Sequence, residues 1–186
     1  MKIFLDMGGV LVDFMQPAMA SHGIYYQIYP VRAGWDIIEA CNILAPEKKM
    51  TGQQFWRKFD QKFWSNLPKT TMCDTLVRTV EGYVGAENVA LLTSGQWPEA
   101  AAGKTEWVRA NLPSYRERLI IGTAKEFLAG PDRLLIDDRD KNVADFVAAG
   151  GSAILVPRPW NPMWRQRLPA SYVLEKLAIM FGRGGY

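Results

Sequence analysis

Three short stretches of this 186-residue chain carry side chains that can act together on one substrate. Asp6 lies in FLDMGGVLVDF, Thr93 and Ser94 in ALLTSG, and the pair Asp137-Asp138 in LLIDDRDKN, with Lys104 of GKTEW between the second and the third. Carboxylates, a hydroxyl and an ammonium brought to one place suit a hard cation together with a phosphoryl group. Carboxylate oxygens favour Mg²⁺, which keeps several waters and takes only one or two protein carboxylates. A hydroxyl, the neighbouring backbone amides and a lysine can hold phosphate oxygens.

Each member of the set also has a plainer reading. Asp6 alone can cap the turn before Gly8-Gly9, Thr93-Ser94 can serve as an ordinary helix cap, and Asp137-Asp138 can be a helix N-cap pair. Two acids directly after a buried strand are nevertheless costly unless paired, solvated or bound to metal. Taken in order, the residues are read as a phosphoryl site.

The elements that must position them are legible as apolar runs. Lys2–Leu5, Val89–Leu92, Leu119–Ile121, Arg133–Ile136 and Ala153–Val156 stay apolar rather than alternating, as strands buried on both faces of a parallel sheet do. Helical patterns lie between them: Glu99–Asn111 stops at Leu112-Pro113, and Lys141–Ala149 ends at Gly150-Gly151. This alternation predicts an α/β fold, a doubly wound parallel sheet. Ligands of such sheets bind at the carboxyl ends of the strands, and Asp6, Thr93-Ser94 and Asp137-Asp138 each directly follow a predicted strand.

The stretch from residue 14 to 82 breaks that rhythm. It shows no parallel strand, and Phe55, Phe59 and Phe63 recur every fourth residue beside Trp56 and Trp64, which predicts one amphipathic helix. The expected organisation is an α/β core of residues 1–13 and 83–186, with a small helical cap, residues 14–82, inserted after the first strand. After Val156, PRPWNPMWRQR reads as a proline-broken loop in which Arg158 and Trp160 pack the loop rather than touch substrate. A last helix is expected near Ser171–Phe181.

The ordered set of Asp6, Thr93, a lysine and Asp137-Asp138 resembles the haloacid dehalogenase-like (HAD) superfamily. Within it the chain is most similar to the small 5'(3')-deoxyribonucleotidases, the cytosolic type C 5'-nucleotidase family, including bacterial and phage forms. The likeness extends through FWSNLPKT, GKTEWVRANLP and AILVPRPWN. It implies a Rossmann-like core and a Mg²⁺-dependent phosphomonoesterase acting on nucleoside monophosphates, deoxyribonucleotides foremost. Asp6 would be the nucleophile, forming an aspartyl-phosphate that water later hydrolyses. Thr93, Ser94 and Lys104 would hold the transferring phosphoryl group, and electrostatic stabilisation there would be the main catalytic effect. Asp6, the Gly8 carbonyl, Asp137 and Asp138 would hold Mg²⁺, the cap would close over the substrate, and Phe14 and Trp64 would stack on the nucleobase. Lys125 of TAKEFLAG, opening a predicted helix, competes with Lys104 as the phosphate lysine; the match of GKTEW to the nucleotidase pattern favours Lys104.

One position departs from the superfamily pattern. Most of its phosphatases carry a second Asp two residues after the nucleophile, as the acid and base of the reaction; here that position is Gly8. Such help is typically worth about 10² to 10⁴ in rate. Asp13 and Arg139 are candidate stand-ins, and the sequence selects neither. Gly8 therefore keeps open a nucleotide- or phosphate-binding protein with weak or no turnover, and a sugar-phosphate phosphatase of the same superfamily also remains. A signalling receiver domain is set aside, because its acid pair follows the first strand and its phosphorylated Asp comes later, the reverse of the order here.

Composition narrows the classes. A hydrophobic fraction of 48% and a charged fraction of 22% can build a core. The net charge of +3 is small and scattered, so nucleic acid is not the expected partner. No uncharged apolar run reaches membrane-spanning length, and Asp6 and Asp13 interrupt MKIFLDMGGVLVDF too early for an export signal. Cys41 and Cys73 make neither a disulfide framework nor a metal spacing, and a lone histidine, His22, excludes a His-rich metal site. The expected setting is cytoplasmic, with a small phosphomonoester as partner; a homodimer is compatible with it.

Overall fold

The structure, a computed structural model, describes residues 1–182. Strands β1 (Lys2–Leu5), β2 (Val89–Thr93), β3 (Leu119–Ile121), β4 (Arg133–Asp137) and β5 (Ser152–Leu155) form one parallel sheet in the order β3-β2-β1-β4-β5. Their continuous apolar character has a simple cause. Ile3, Leu5, Leu91, Leu134 and Ile136 are buried in the main core on one face, while Phe4, Leu92 and Leu135 are buried with Phe146 on the other. A sheet covered on both faces leaves no position for an alternating polar residue.

The register pairs Leu5 with both Leu91 and Ile136. The carboxyl ends of β1, β2 and β4 are therefore nearly level, which brings Asp6, Thr93 and Asp137 to one edge. The chain runs outward from β1 to β2 and β3, then crosses to the other side of β1 for β4 and β5. Beside that reversal a doubly wound sheet opens its crevice.

Five helices separate β1 from β2: α1 (Met15–Ala20), α2 (Ile37–Leu44), α3 (Gly52–Trp56), α4 (Gln61–Ser65) and α5 (Cys73–Val84). α6 (Pro98–Asn111) follows β2, α7 (Asp140–Ala148) follows β4, and α8 (Pro169–Met180) follows β5. α5 packs against β1, β2 and α8, whereas α4 packs on α6.

Two local expectations are corrected. The aromatic stretch 55–64 is two short helices rather than one, because Asp60 is extended (φ −80°, ψ 175°) and its carboxylate accepts the Phe63 amide at 2.8 Å, capping a new helix. α3 starts separately with a capping box in which Thr51 and Gln54 exchange hydrogen bonds. The rings still converge: Phe14 lies between Trp56 and Trp64, with centroids 6.0 and 5.1 Å away and planes within 3° and 4° of parallel. The helix expected to open at Lys125 is a single 3-10 stretch, Lys125–Leu128.

The helical insert is fastened by specific contacts. A Cβ on Gly103 of α6 would lie 2.4 Å from the Gln61 carbonyl oxygen and 2.5 Å from the Trp64 Cβ, so α4 can approach α6 only over a glycine. Trp107 Nε1 donates to the Leu67 carbonyl at 2.7 Å. Thr70 Oγ1 donates to the Val10 carbonyl at 2.6 Å, and Lys69 bridges Val12 antiparallel. These bonds tie FWSNLPKT to GKTEWVRANLP on one side and to the turn after β1 on the other. No helix among the described residues is long and apolar enough to cross a membrane.

Candidate active site

The carboxylates of Asp6, Asp137 and Asp138 are buried and present oxygens within 4.8 Å of one another. Sheet register explains the proximity: the Asp6 amide continues the ladder by donating to the Ile136 carbonyl at 2.9 Å. Lys125 Nζ lies between two of the acids and donates to Asp6 Oδ1 and Asp137 Oδ2, both at 2.6 Å. Burial by itself would push the Lys125 ammonium down, but Asp6 and then Asp137 outweigh it and hold its pKa above the ordinary value. Burial raises the Asp6 carboxyl, with Lys125 opposing that rise. For Asp138, burial and then the charges of Asp137 and Asp6 hold the carboxyl well above the usual range.

Asp137 and Asp138 are held by different partners. Asp137 Oδ1 accepts the Arg139 amide at 2.8 Å, and its Oδ2 accepts Asn142 Nδ2 at 3.1 Å. Asp138 Oδ2 accepts the buried indole N–H of Trp160 at 2.7 Å, and Asn161 Nδ2 donates to the Asp138 carbonyl at 2.8 Å. Here the expectation for the proline-broken loop is corrected. Trp160 and Arg158 do more than pack it: the loop folds back over the acids, where the buried indole N–H requires an acceptor, and Arg158 Nε donates to the Gly9 carbonyl at 2.6 Å.

On the opposite side of Asp6, Thr93 ends β2 and is buried. Lys104, in the second turn of α6, donates from Nζ to Thr93 Oγ1 at 2.9 Å and to the Ser94 carbonyl at 2.6 Å. Its Nζ also lies 5.3 Å from the centre of the Trp64 ring. Burial pushes the Lys104 ammonium down to about 8, with Asp6 pulling the other way. Lys104 and Lys125, read from the sequence as alternatives, thus stand in the site together, one beside the hydroxyl and one between the acids.

These groups border one cavity of about 130 Å³. Asp6, Gly8, Thr93, Ser94, Lys104, Asp137 and Asp138 all line it, as do Phe14 and Trp64 from the insert and Lys125 between Asp6 and Asp137. Of the two stand-ins for a missing acid, Arg139 lines the cavity, whereas Asp13 lines a separate groove. Trp35, which the sequence reading did not single out, also lines the cavity and is 37% exposed, against 7% for Trp64; the Arg139 guanidinium lies 5.5 Å from its ring centre. No periodic signal surrounds Trp35, so only the fold brings it here. For Trp160 and Asn161 the signal was a motif without a role, PRPWN.

The two glycines after Asp6 differ. Gly9 has φ +72°, and a Cβ there would lie 1.9 Å from Asp138 Oδ2. Gly8 has no left-handed backbone, and the nearest atom to an added Cβ is Asp6 Oδ2 at 3.9 Å. Only Gly9 is required by the packing.

The donor set fits a hard divalent cation. Three carboxylates face two ammoniums, and Asp138 Oδ1 is buried without a hydrogen-bond partner. A buried carboxylate oxygen with no donor is costly, and oxygen-only ligands are what Mg²⁺ takes.

The sequence profile of the family described as 5' nucleotidase, deoxy (pyrimidine), cytosolic type C protein matches residues 1–172. Among solved structures, the chain is similar to a HAD family hydrolase from Deinococcus radiodurans R1 with bound phosphate and sodium, at 15% identity and a TM-score of 0.60, covering 96% of this chain and 95% of that one. It is also similar to a dehalogenase with an intermediate complex, at 11% identity and a TM-score of 0.55, covering 97% and 96% of the two chains. A hydrolase from Streptococcus pneumoniae TIGR4 gives 15% identity and a TM-score of 0.52, covering 83% and 91%. At these identities the likeness shows the fold. No curated protein sequence matches significantly.

Proposed function

The chain belongs to the cytosolic type C 5'-nucleotidase family of HAD-fold phosphatases, and from that premise we propose that it hydrolyses nucleoside monophosphates, deoxyribonucleotides foremost, with Mg²⁺ as cofactor and Asp6 as nucleophile. The observation that carries this reading is one cavity in which Asp6 stands between an acid pair and a hydroxyl-lysine pair. Asp6, the Gly8 carbonyl, Asp137 and Asp138 would hold Mg²⁺, which when bound neutralises charge on the phosphate. Thr93, Ser94 and Lys104 hold the phosphoryl oxygens. Lys125 donates to Asp6 Oδ1 at 2.6 Å and opposes the effect of burial, which still holds the Asp6 carboxyl above its ordinary value.

Attack forms the bond from an Asp6 oxygen to phosphorus and breaks the bond to the leaving oxygen; water then hydrolyses the aspartyl-phosphate. Gly8 supplies no proton. Arg139 stabilises charge on the leaving oxygen without protonating it, since a guanidinium does not give up its proton, and the proton comes from water. Within the insert of residues 14–82, α1 to α4 act as the cap that excludes bulk water, and Phe14 and Trp64 contact the base. A cytoplasmic setting is part of this reading, supported by the family's description.

The test is phosphate release from deoxyribonucleotides, ribonucleotides and sugar phosphates, with and without Mg²⁺, beside Asp6→Asn. Mg²⁺-dependent release from deoxynucleotides, lost in a variant that melts normally, is expected. Activity retained in Asp6→Asn overturns the nucleophile assignment. Gly8 favours one second reading, a nucleotide-binding protein with weak turnover. It is recognised by nucleotide raising the melting temperature with no phosphate released.

A further inference from the structure

Gly9 and Trp160 line both the catalytic cavity and a second, larger groove of about 920 Å³. Four cations border this groove, Lys69, Arg158, Arg165 and Arg167, against a single carboxylate, Asp13. Lys69 is paired with Asp74, but none of the ion pairs among the described residues includes any of the three arginines. Arg158 is half-buried, and its bonds go to neutral acceptors, the Gly9 carbonyl at 2.6 Å and Met72 Sδ at 3.5 Å. Arg158 feels the charges of Asp138 and Asp13 without contacting either, and a half-buried guanidinium without a contacting anion is an incomplete arrangement. All three arginines come from PRPWNPMWRQR, the stretch whose charges the catalytic reading leaves unused. Beside them stand two rings with accessible surface, Tyr26 and the 44% exposed Trp164, one face of which the Arg165 guanidinium covers at 4.7 Å from the ring centre.

Guanidinium forks match phosphate oxygens, and they do so most strongly where several share one ligand. Aromatic rings next to them suit a flat heterocycle. The volume of the groove, about 920 Å³, lies within the range of pockets that take a nucleotide-sized ligand. We propose that the groove is a second nucleotide site, taking a nucleoside di- or triphosphate with its phosphates on Arg158, Arg165 and Arg167 and its base against Tyr26 and Trp164. Its occupancy reaches the catalytic cavity through shared residues. Arg158 holds the Gly9 carbonyl, Gly9 packs on the Asp138 carboxylate, and Trp160 donates to that same carboxylate. A phosphate that draws Arg158 into the groove therefore alters how Asp138 is held. The binding stands apart from the proposed hydrolysis; only the coupling rests on it.

The test titrates dATP and dTTP into the full chain and into the double variant Arg165→Glu/Arg167→Glu, whose changes lie on exposed side chains outside the catalytic cavity. The variant is expected to bind the triphosphates at least about tenfold more weakly, as the loss of charge-assisted bonds implies, while its deoxynucleotide hydrolysis without triphosphate is unchanged. At free Mg²⁺ concentrations corrected for chelation by the triphosphate, the parent chain is expected to show triphosphate shifting Mg²⁺ affinity and Mg²⁺ shifting triphosphate affinity by the same factor; the variant loses both. Equal binding by the two proteins, binding by neither, or displacement of triphosphate by a monophosphate substrate overturns the proposal. So does binding of a single-stranded oligonucleotide through these arginines with no binding of free triphosphate. Failure of the catalytic reading shows separately, as absent phosphate release with triphosphate binding intact.

Discussion

Lys104 and Lys125 share a side chain but not an environment, and the difference has a pH signature. Lys125 is buried between two carboxylates that keep it charged, whereas burial pushes Lys104 down to about 8 from 10.5. A Lys104 that loses its proton above about pH 8 no longer offers charge to phosphate, so kcat/KM is expected to fall on that side. Lys104→Arg, whose guanidinium stays protonated, is expected to remove that alkaline limb from the residual pH-rate profile. Stability runs the other way. Between about 8 and 10.5 the unfolded chain holds more protons at this group than the folded one, so its contribution to stability grows as pH rises through that window and is absent below it. The glycine pair gives a second prediction. Gly8→Asp meets no atom closer than 3.9 Å at its Cβ; it is expected to fold normally and to raise turnover by about 10² or more through restored acid-base help. Gly9→Ala, with φ +72° and a contact of 1.9 Å to Asp138 Oδ2, is expected to lower both the melting temperature and Mg²⁺-dependent activity. The glycines were legible in the sequence as a turn, but which of them is indispensable depends on where Asp138 comes to rest.

Elements set how tightly the insert covers the site. α4 reaches α6 over Gly103, where an added methyl meets the backbone of Gln61 and the side chain of Trp64. Gly103→Ala is expected to destabilise the protein, because overpacking of about 1–3 kcal/mol exceeds the gain of about 1 kcal/mol in helix propensity; thermal unfolding checks it. The loop after β5 acts by a different route. Trp160→Phe removes the N–H that holds Asp138 Oδ2, together with the five-membered part of a buried indole. It is expected to weaken Mg²⁺ binding by about tenfold, the usual effect of losing a partner that orients a metal ligand, and to lower metal-free melting through the space left in the packing; direct metal titration on the folded variant reads the first effect. The four-residue aromatic spacing correctly marked a buried cluster yet concealed the break at Asp60. Rings from two short helices and from Phe14 can satisfy the same spacing, and the cap that divides them is a single local hydrogen bond.

At the scale of the whole molecule, folding concentrates three carboxylates at the centre of the sheet edge, opposed by only two lysines. A bound divalent cation is therefore expected to stabilise the fold, and chelation to lower the melting temperature along with activity. Mg²⁺ at a hundred times its dissociation constant would add about 2.7 kcal/mol by mass action. Adding Mg²⁺ without any rise in melting temperature would count against these acids as its site. By itself the sequence determined the five strands, the acids and hydroxyl at their ends and the family, because buried parallel strands write uninterrupted apolar runs and the reactive residues follow them directly. Only the tertiary structure decided that both lysines enter the site, that Trp160 holds Asp138 and that Gly9 must be glycine. Lys125 meets Asp6 across 119 residues of chain, and Trp160 meets Asp138 through a loop without regular structure. Contacts of that kind are set by strand order and close packing, which leave no periodic trace in the residues that make them.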